Sequence, residues 1–440
     1  MKMKNILFGL LFIIPTVSYG ADAEIQDKPV PVSRIANAAE KYSDLYNSDF
    51  VFFLEHSVSD KNFTLGNVAQ ACLDYTTIND KITAEICKKF MNDIIGETHL
   101  TDLTRTFVAT TTSDTTEFKF HIYAAGNYTV DCGDEKPVQK ISITDAKTGQ
   151  EITCKYSKPD AYKIIIGGRA TGYDNSVPAI SFEANQNLAG IDGSLGAIFP
   201  TLNKSQPIFY LTFSDCTNLK GSIPANLFSG IQGAPADSMF NGTFFGCSGL
   251  NGSIPENLFS GISGAPAEGM FAGTFHSCSG LTGPIPANLF SGIQRVPAEY
   301  MFFATFYGCS GLKGSIPENL FSGISGAPAE GMFAYTFGGC SGLTGPIPAN
   351  LFRGISGAPA REMFAYTFGD CSGLSGSIPA NLFSGIQGAP AEYMFSGTFS
   401  SCSGLSGDVT EKFFGDITDG VTAGDVEDWE TFDGTQITFK

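Results

Sequence analysis

The sequence has 440 residues, 42% of them hydrophobic, and a formal net charge of −18 at pH 7. This acidic balance disfavours nucleic acids and anionic lipids as partners, because their phosphates repel a negatively charged surface. The four histidines lie singly, and no Gly-x-Ser-x-Gly, His-Glu-x-x-His or phosphate-loop pattern occurs. We therefore expect neither enzymatic activity nor a cofactor.

Residues 1–20 have the pattern of a secretory signal peptide. A short basic region, Met1–Asn5, precedes an apolar run from Ile6 to Val17 and small residues before Ala21. The run is shorter than the roughly 20 residues of a membrane span, and no later stretch qualifies. We expect an exported protein without a transmembrane segment, secreted or held at the cell surface or in the periplasm. The leader favours a bacterial source.

Residues 21–103 are predicted to form a small, mainly helical region. Ile82, Ile86, Phe90 and Ile94 recur every four residues, which places them on one helical stripe. Such a stripe is more typical of a packing face than of a partner-binding helix. Cys72 and Cys87 in this region are candidates for a disulfide.

Residues 104–188 show the alternation of β-strands and predict an all-β sandwich. The strand candidates are Thr106–Thr110, Phe118–Ile122 and Tyr162–Ile166. The segment Asn127–Asp134 resembles strands of the polycystic-kidney-disease type of immunoglobulin-like domain, which implies a spacer. Cys132 and Cys154 are a second candidate disulfide, as expected for an exported protein in an oxidising compartment. Such a pair typically stabilises the fold by roughly 2–4 kcal/mol.

A repeat with a period of 31 residues dominates residues 189–407 and predicts stacked structural units. A shortened, diverged copy comes first, followed by six full copies and the start of a seventh. The six full copies and the seventh each begin at a cysteine. These cysteines are Cys216, Cys247, Cys278, Cys309, Cys340, Cys371 and Cys402. We interpret residues 408–440, which contain Trp429 among acidic residues, as a C-terminal cap.

Within one copy, the apolar residues from Met301 to Cys309 fall at offsets 0, 1, 4, 5 and 8, which predicts a short helix. Leu312–Pro317 fits a brief strand ended by proline, and Asn319–Phe321 fits one helical turn. The predicted fold class is therefore α+β. It combines a leucine-rich-repeat-like solenoid, with a short strand plus a helix per repeat, with a preceding β-sandwich and small helical region.

The motifs Thr-Phe-x-x-Cys-Ser-Gly-Leu, at Thr274–Leu281, and Ile-Pro-x-Asn-Leu-Phe, at Ile285–Phe290, resemble the leucine-rich repeat superfamily. The similarity is greatest to its BspA-like bacterial members and covers nearly half the chain. It implies adhesion or surface recognition. The period exceeds the 20–29 residues usual for the class.

The repeat cysteines are predicted to form a ladder of buried thiols, since seven is an odd number and neighbouring copies lie too far apart for disulfides. No metal site is predicted there, because no His or second Cys lies at ligand spacing. Asp131 and Asp134 in the sandwich could bind calcium through oxygen ligands, although an exposed Asp-rich turn is more often simply solvated.

Two surfaces of the repeats are candidates for binding a protein or glycan of a host, a neighbouring cell or the matrix. The first is an aromatic strip at positions that vary between copies, although drift among recent duplicates explains that variation equally well. Its candidate residues are Tyr300, Phe303, Tyr307, Tyr335, Tyr366 and Tyr393, and Phe245 is equivalent to Tyr307. The second follows Lys220, Asn251, Thr282, Lys313, Thr344, Ser375 and Ser406 on the predicted strand face. The alternative to recognition is a structural or self-associating envelope protein.

Overall fold

The computed structural model describes residues 106–134, 136–202, 205–418 and 420–440. The chain divides into two compact units, Met1–Leu103 and Thr104–Lys440, and all described residues belong to the second. The predicted signal peptide, the predicted helical region and the candidate pair Cys72 and Cys87 lie outside the described residues.

The amino-terminal part of this unit consists of antiparallel sheet. Its strands are β1 (Phe107–Thr111), β2 (Thr115–Ile122), β3 (Ala125–Asp131), β4 (Gln139–Ile143), β5 (Gln150–Asp160), β6 (Lys163–Gly172), β7 (Ile180–Ser181) and β8 (Leu188–Gly193). One sheet has the order β4-β3-β6-β1-β8 and the other has the order β5-β2-β7. The three strand candidates of the sequence lie in or beside β1, β2 and β6.

Alternating side chains of these strands point to one core. In β2, Phe118, Phe120 and Ile122 are buried while Lys119 is exposed. A disulfide joins Cys132 to Cys154 with 5.6 Å between their Cα atoms. The relationship of this region to polycystic-kidney-disease domains stays a prediction.

The following part of the unit, residues 207–407, places the copies side by side as a repeat stack, which begins with the shortened copy. Isolated parallel bridges join each copy to the next at two points, for example Gly283 to Leu312 and Arg295 to Ile324. Each bridge involves single residues, so the brief strand predicted for Leu312–Pro317 does not extend beyond its bridge positions.

The predicted α+β fold class is wrong. In the described residues, helix is confined to α1 (Leu195–Ile198), a 3-10 turn (Glu411–Phe414) and α2 (Ala423–Asp428), and none lies within the repeat stack. No leucine-rich-repeat solenoid with a helix per repeat is present there. The structure is instead dominated by antiparallel sheet and by turns.

The segment predicted to be helical is a succession of β-turns, which we call the turn ladder. It comprises residues 238–247, 269–278, 300–309, 331–340, 362–371 and 393–402. Alternate N–H groups bond within the segment, as Thr305 N does to Phe302 O at 3.2 Å, whereas those between them bond to the next copy, as Phe306 N does to Thr336 O at 2.9 Å. These bonds replace the i to i−4 bonds of an α-helix.

The backbone of the turn ladder also excludes a helix because every fourth residue has a positive φ. In one copy these residues are Tyr300 (52°), Ala304 (50°) and Gly308 (69°). An α-helix needs φ near −63° at every residue. Glycine occupies many of the equivalent positions, because it adopts a positive φ at little cost.

The core of the repeat stack consists of rows of identical side chains. Phe302 stacks on Phe333 at 5.7 Å between ring centroids, and Phe306 stacks on Phe337 at 5.8 Å. Thr305 is fully buried, and its hydroxyl hydrogen-bonds to Phe271 O and Phe302 O at 2.9 Å. Buried polar groups are thus paired with the neighbouring copy, as burial requires.

The two ends of the repeat stack are covered by different structures. At the first copy, Ala179 N bonds to Ile208 O and Phe182 N to Thr212 O, so the sandwich continues directly into the stack. At the other end, β9 (Gln387–Gly388) of the last full copy pairs with β11 (Asp416–Ile417), and β10 (Ser406–Val409) pairs with β12 (Gln436–Phe439). Both pairs are parallel.

None of the helices among the described residues has the length and apolar character to cross a membrane.

Candidate functional site

A continuous group of aromatic rings lies on the outer side of the turn ladder, and we call it the aromatic face. It consists of Phe245, His276, Tyr300, Phe303, Tyr307, Tyr335 and Tyr366, all partly exposed. These side chains come from five consecutive full copies, because the 31-residue period brings equivalent positions next to one another. The face therefore exists only when the copies stack.

The rings contact one another in sequence along the face. Phe245 stacks on His276 with 4.3 Å between centroids, and His276 stacks on Tyr307 at 4.8 Å. Tyr307 meets Tyr335 edge to face at 6.0 Å, and Tyr335 stacks on Tyr366 at 5.1 Å. Each such contact contributes about 0.5–1.5 kcal/mol beyond its buried area, so the rings hold one another in place.

Two further rings extend the face sideways within one copy. Phe303 meets Tyr335 edge to face at 5.7 Å and Tyr300 at 5.9 Å. The Tyr300 hydroxyl donates a hydrogen bond to Glu330 of the next copy. This bond raises the pKa of Tyr300 to about 12, so the phenol stays protonated and can donate.

Burial affects two other groups of the face. It lowers the pKa of His276 below its ordinary value of 6.5 and raises that of Tyr335 above 10.0. Both shifts favour the uncharged ring. The face is therefore an uncharged aromatic surface at neutral pH.

Two tyrosines of the face, Tyr300 and Tyr366, lie where the next copy has glycine. A Cβ atom on Gly331 would lie 2.5 Å from the Tyr300 ring, and one on Gly397 would collide with the Tyr366 ring. Both glycines have a φ of 55°, which favours glycine on backbone grounds as well. The Tyr rings and the glycines that follow them thus form matched pairs.

Five of the six aromatic candidates from the sequence, Tyr300, Phe303, Tyr307, Tyr335 and Tyr366, come together in this face. The sixth, Tyr393, is 51% exposed and makes no ring contact within the described part of the chain. His276 was missed because histidine was considered only as a catalytic residue. Its position 31 residues after Phe245 and 31 before Tyr307 was the signal.

A row of carboxylates runs beside the aromatic face, one residue before Tyr300 and its equivalents. We call it the acidic row, and it comprises Asp237, Glu268, Glu299, Glu330 and Glu392. At the remaining equivalent position stands Arg361, whose guanidinium lies 3.1 Å from Glu330, 3.3 Å from Glu392 and 2.6 Å from Glu362. The bonds from Arg361 and Tyr300 keep the pKa of Glu330 below its usual range. The row was not among the candidates from the sequence, although an acidic residue recurs every 31 positions from Asp237 to Glu330.

The second candidate surface, from Lys220 to Ser406, carries a different chemistry. All of its residues except Ser406 are exposed. From Asn251 onward their N–H groups bond to a glycine carbonyl of the preceding copy, as Thr282 N does to Gly252 O at 2.7 Å, whereas Lys220 N bonds to Ala189 O. The row contains two lysines and no aromatic ring or carboxylate. It is a polar surface without the apolar component of the aromatic face.

The repeat cysteines are fully buried and unpaired. Each thiol lies close to a phenylalanine carbonyl 34 residues earlier in the chain, as Cys309 Sγ does to Phe275 O at 2.9 Å. Burial raises their pKa values above the ordinary 9.0, to about 12 for Cys309. These thiols are therefore core side chains inaccessible to a ligand.

The two aspartates considered for calcium are engaged with their own turn. Asp131 accepts a hydrogen bond from Gly133 N at 2.9 Å, and Asp134 lies 2.6 Å from Lys136 Nζ. Within the described residues, no group of three or more His, Cys, Asp and Glu is arranged to hold a metal ion.

No protein-family model, curated protein or solved structure matches this chain. The resemblance of its motifs to BspA-like repeats therefore stays a prediction.

Proposed function

We propose that this is an exported, non-enzymatic protein that recognises or adheres to a protein or glycan through the aromatic face of its repeats. The single observation that supports this proposal is the chain of ring contacts from Phe245 to Tyr366 on a partly exposed surface. Aromatic residues are enriched at binding interfaces because they contribute large contact areas at a low cost in side-chain entropy. The fully buried rows of the repeat stack already provide its core, so the stack does not need these outer rings for its own core.

The choice of residues on the face also supports binding. Other copies carry Gly242, Gly273, Ala304 and Gly397 at the position of Tyr335 and Tyr366, which has a positive φ in every copy. Tyrosine at φ near 50° costs more than glycine. A side chain kept at such a position despite its backbone cost is favoured where it has a task other than folding.

The test uses the chain from Ala21 to Lys440 on an array of glycans and matrix proteins, with light scattering of the same sample. We expect a monomer that captures a partner. Replacing Tyr335 and Tyr366 together with glycine should weaken capture by about tenfold or more, as expected for central aromatic contacts.

The matched control is Tyr393→Gly, because Gly269 and Gly331 stand at equivalent positions and Tyr393 lies outside the face. It should leave capture unchanged. Capture that is insensitive to the double variant would refute a role of the aromatic face. Concentration-dependent assembly without any partner would instead support the structural alternative.

A further inference from the structure

The aromatic face and the acidic row form one continuous surface. Glu299 precedes Tyr300 directly in the chain, and the Tyr300 hydroxyl donates to Glu330, the equivalent of Glu299 in the next copy. The surface therefore combines uncharged aromatic rings with a line of carboxylates along one side.

The carboxylates of the acidic row are aligned by the backbone. Ser238 N bonds to Glu268 O at 2.8 Å and Gly269 N bonds to Glu299 O at 2.9 Å. Bonding of this kind sets neighbouring copies about 4.8 Å apart. Like charges directly opposite one another at this spacing destabilise a paired structure.

Arg361 relieves this repulsion at one end of the row. It stands at a row position and its guanidinium contacts the carboxylates of the copies on both sides, Glu330 and Glu392. Asp237, Glu268 and Glu299 have no Lys or Arg within salt-bridge distance in the described part of the chain. Three consecutive copies thus lack the cation that Arg361 supplies further along.

We propose that the aromatic face and the acidic row together bind an arginine-rich segment of a partner protein. The proposal rests on the proposed function and names the chemistry of its partner. Charge complementarity selects a cationic partner, and the contacts of Arg361 show how this row holds a guanidinium. Arginine is favoured over lysine because its planar group donates bidentate hydrogen bonds to carboxylates and stacks on aromatic rings.

The acidic row favours a cationic polypeptide over an uncharged glycan, which would leave the carboxylates unpaired. Tyr335 and Tyr366 are stacked with 7° between their planes, so neither a sugar nor a guanidinium enters between these two rings. Their rims remain accessible together with the carboxylates. A polypeptide with extended cationic side chains can use both.

The test measures binding of the chain from Ala21 to Lys440 to a fluorescent arginine-rich peptide by anisotropy at about 0.15 M ionic strength. The same peptide with lysine in place of every arginine is measured in parallel. One variant removes three charges of the row, Asp237→Asn with Glu268→Gln and Glu299→Gln. Its matched control removes three charges from exposed carboxylates elsewhere, Glu183→Gln with Glu256→Gln and Glu318→Gln.

We expect tighter binding of the arginine peptide than of the lysine peptide by the unaltered chain. The row variant should lose about tenfold in affinity or more, because it removes charge-assisted bonds, whereas the control should change by less than about twofold. Tyr335→Gly combined with Tyr366→Gly should reduce the preference for arginine over lysine, whereas Tyr393→Gly should not.

If the row variant and its control lose the same affinity for the arginine peptide, only the net charge attracts the peptide. That result would overturn the proposal. Absence of peptide binding would overturn it as well. Capture of a glycan or an uncharged protein through the aromatic face would overturn this inference while leaving the proposed function intact.

Discussion

The cysteines of the repeats are the residues that most constrain each copy. Cys309 is fully buried and its thiol lies 2.9 Å from Phe275 O, a carbonyl that also accepts from Cys278 N. A free cysteine here acts as a small core residue with a weak donor. Its burial was predictable from the odd number of equivalent cysteines, but its acceptor was not, because Phe275 lies 34 residues earlier in the chain and meets Cys309 only in the folded stack.

The raised pKa of Cys309 predicts how its contribution to stability depends on pH. The thiol titrates near 12 when folded but near 9.0 when unfolded. The unfolded chain therefore releases this proton first, and the contribution is complete below pH 9 and declines as pH rises toward 12. Each pH unit above the unfolded pKa lowers the contribution of the thiol to the free energy of unfolding by about 1.36 kcal/mol. We therefore expect Cys309→Ala to lower the free energy of unfolding by about 2 kcal/mol less at pH 10.5 than at pH 8.

Urea unfolding of both proteins at the two pH values measures this difference. Lysine and tyrosine titrations affect both proteins alike and cancel in the comparison. A destabilisation that is the same at both pH values would show that the folded thiol ionises normally.

At the scale of the element, side chains in the turn ladder of one copy limit which residues fit in the next copy. Tyr300 lies over Gly331, and Tyr366 lies over Gly397. At these two positions the ring in one copy occupies the space that a Cβ atom in the following copy would need. The variation between copies, which in the sequence was compatible with drift, is thus coupled at these positions.

This coupling predicts that Gly331→Ala and Tyr300→Gly are not additive. Gly331→Ala should lower the free energy of unfolding by about 1–2 kcal/mol because the backbone there is left-handed. The loss should be larger when the Tyr300 ring is present, because the added Cβ collides with it. In the Tyr300→Gly background only the backbone cost remains, which gives a coupling of about 1 kcal/mol in a double-mutant cycle. The four proteins are compared by urea unfolding.

Gly269→Ala serves as the control, because its added Cβ would have no neighbour closer than 3.6 Å and its φ is the same 55°. Its cost should not depend on Tyr300. Additive costs for Gly331→Ala would mean that the ring moves aside freely.

At the scale of the whole molecule, the sandwich and the repeat stack share one hydrophobic core. Phe182 is 1% exposed and lies between them, with centroid distances of 5.2 Å to Phe120 of the sandwich and 5.5 Å to Phe213 at the start of the stack. Its N–H bonds to Thr212 O at 2.7 Å. The two parts are therefore expected to stabilise each other.

Phe182→Ala should accordingly destabilise the far end of the repeat stack as well as the sandwich. Truncation of a buried Phe typically costs 3–5 kcal/mol. Trp429, the one tryptophan of the chain, lies beyond the last copy and reports unfolding there by its fluorescence. We expect the Trp429 transition to shift together with the calorimetric one, whereas Ile165→Ala at a partly exposed sandwich position should shift neither appreciably.

An unchanged Trp429 transition in Phe182→Ala would mean that the repeat stack unfolds independently of the sandwich. Such decoupling occurs in repeat arrays whose units contact only their neighbours.

The sequence by itself determined the register of the repeats and the residues that face the core. Met301, Phe302, Thr305, Phe306 and Cys309 are all fully buried, as their spacing predicted. The strands of the sandwich were also predictable, because alternating apolar residues along one strand depend only on local geometry. Five aromatic candidates could be found for the same reason, since a fixed period brings equivalent positions together.

Only the tertiary structure decided that the second half of each copy is a turn ladder rather than a helix. Over nine residues, a helical period of 3.6 and a turn period of four place the same side chains inward, so the apolar pattern does not distinguish them. The choice depends on hydrogen-bond acceptors in the next copy, such as Thr336 O for Phe306 N. The acidic row and the contacts of Arg361 likewise arise only when copies 31 residues apart in sequence lie side by side.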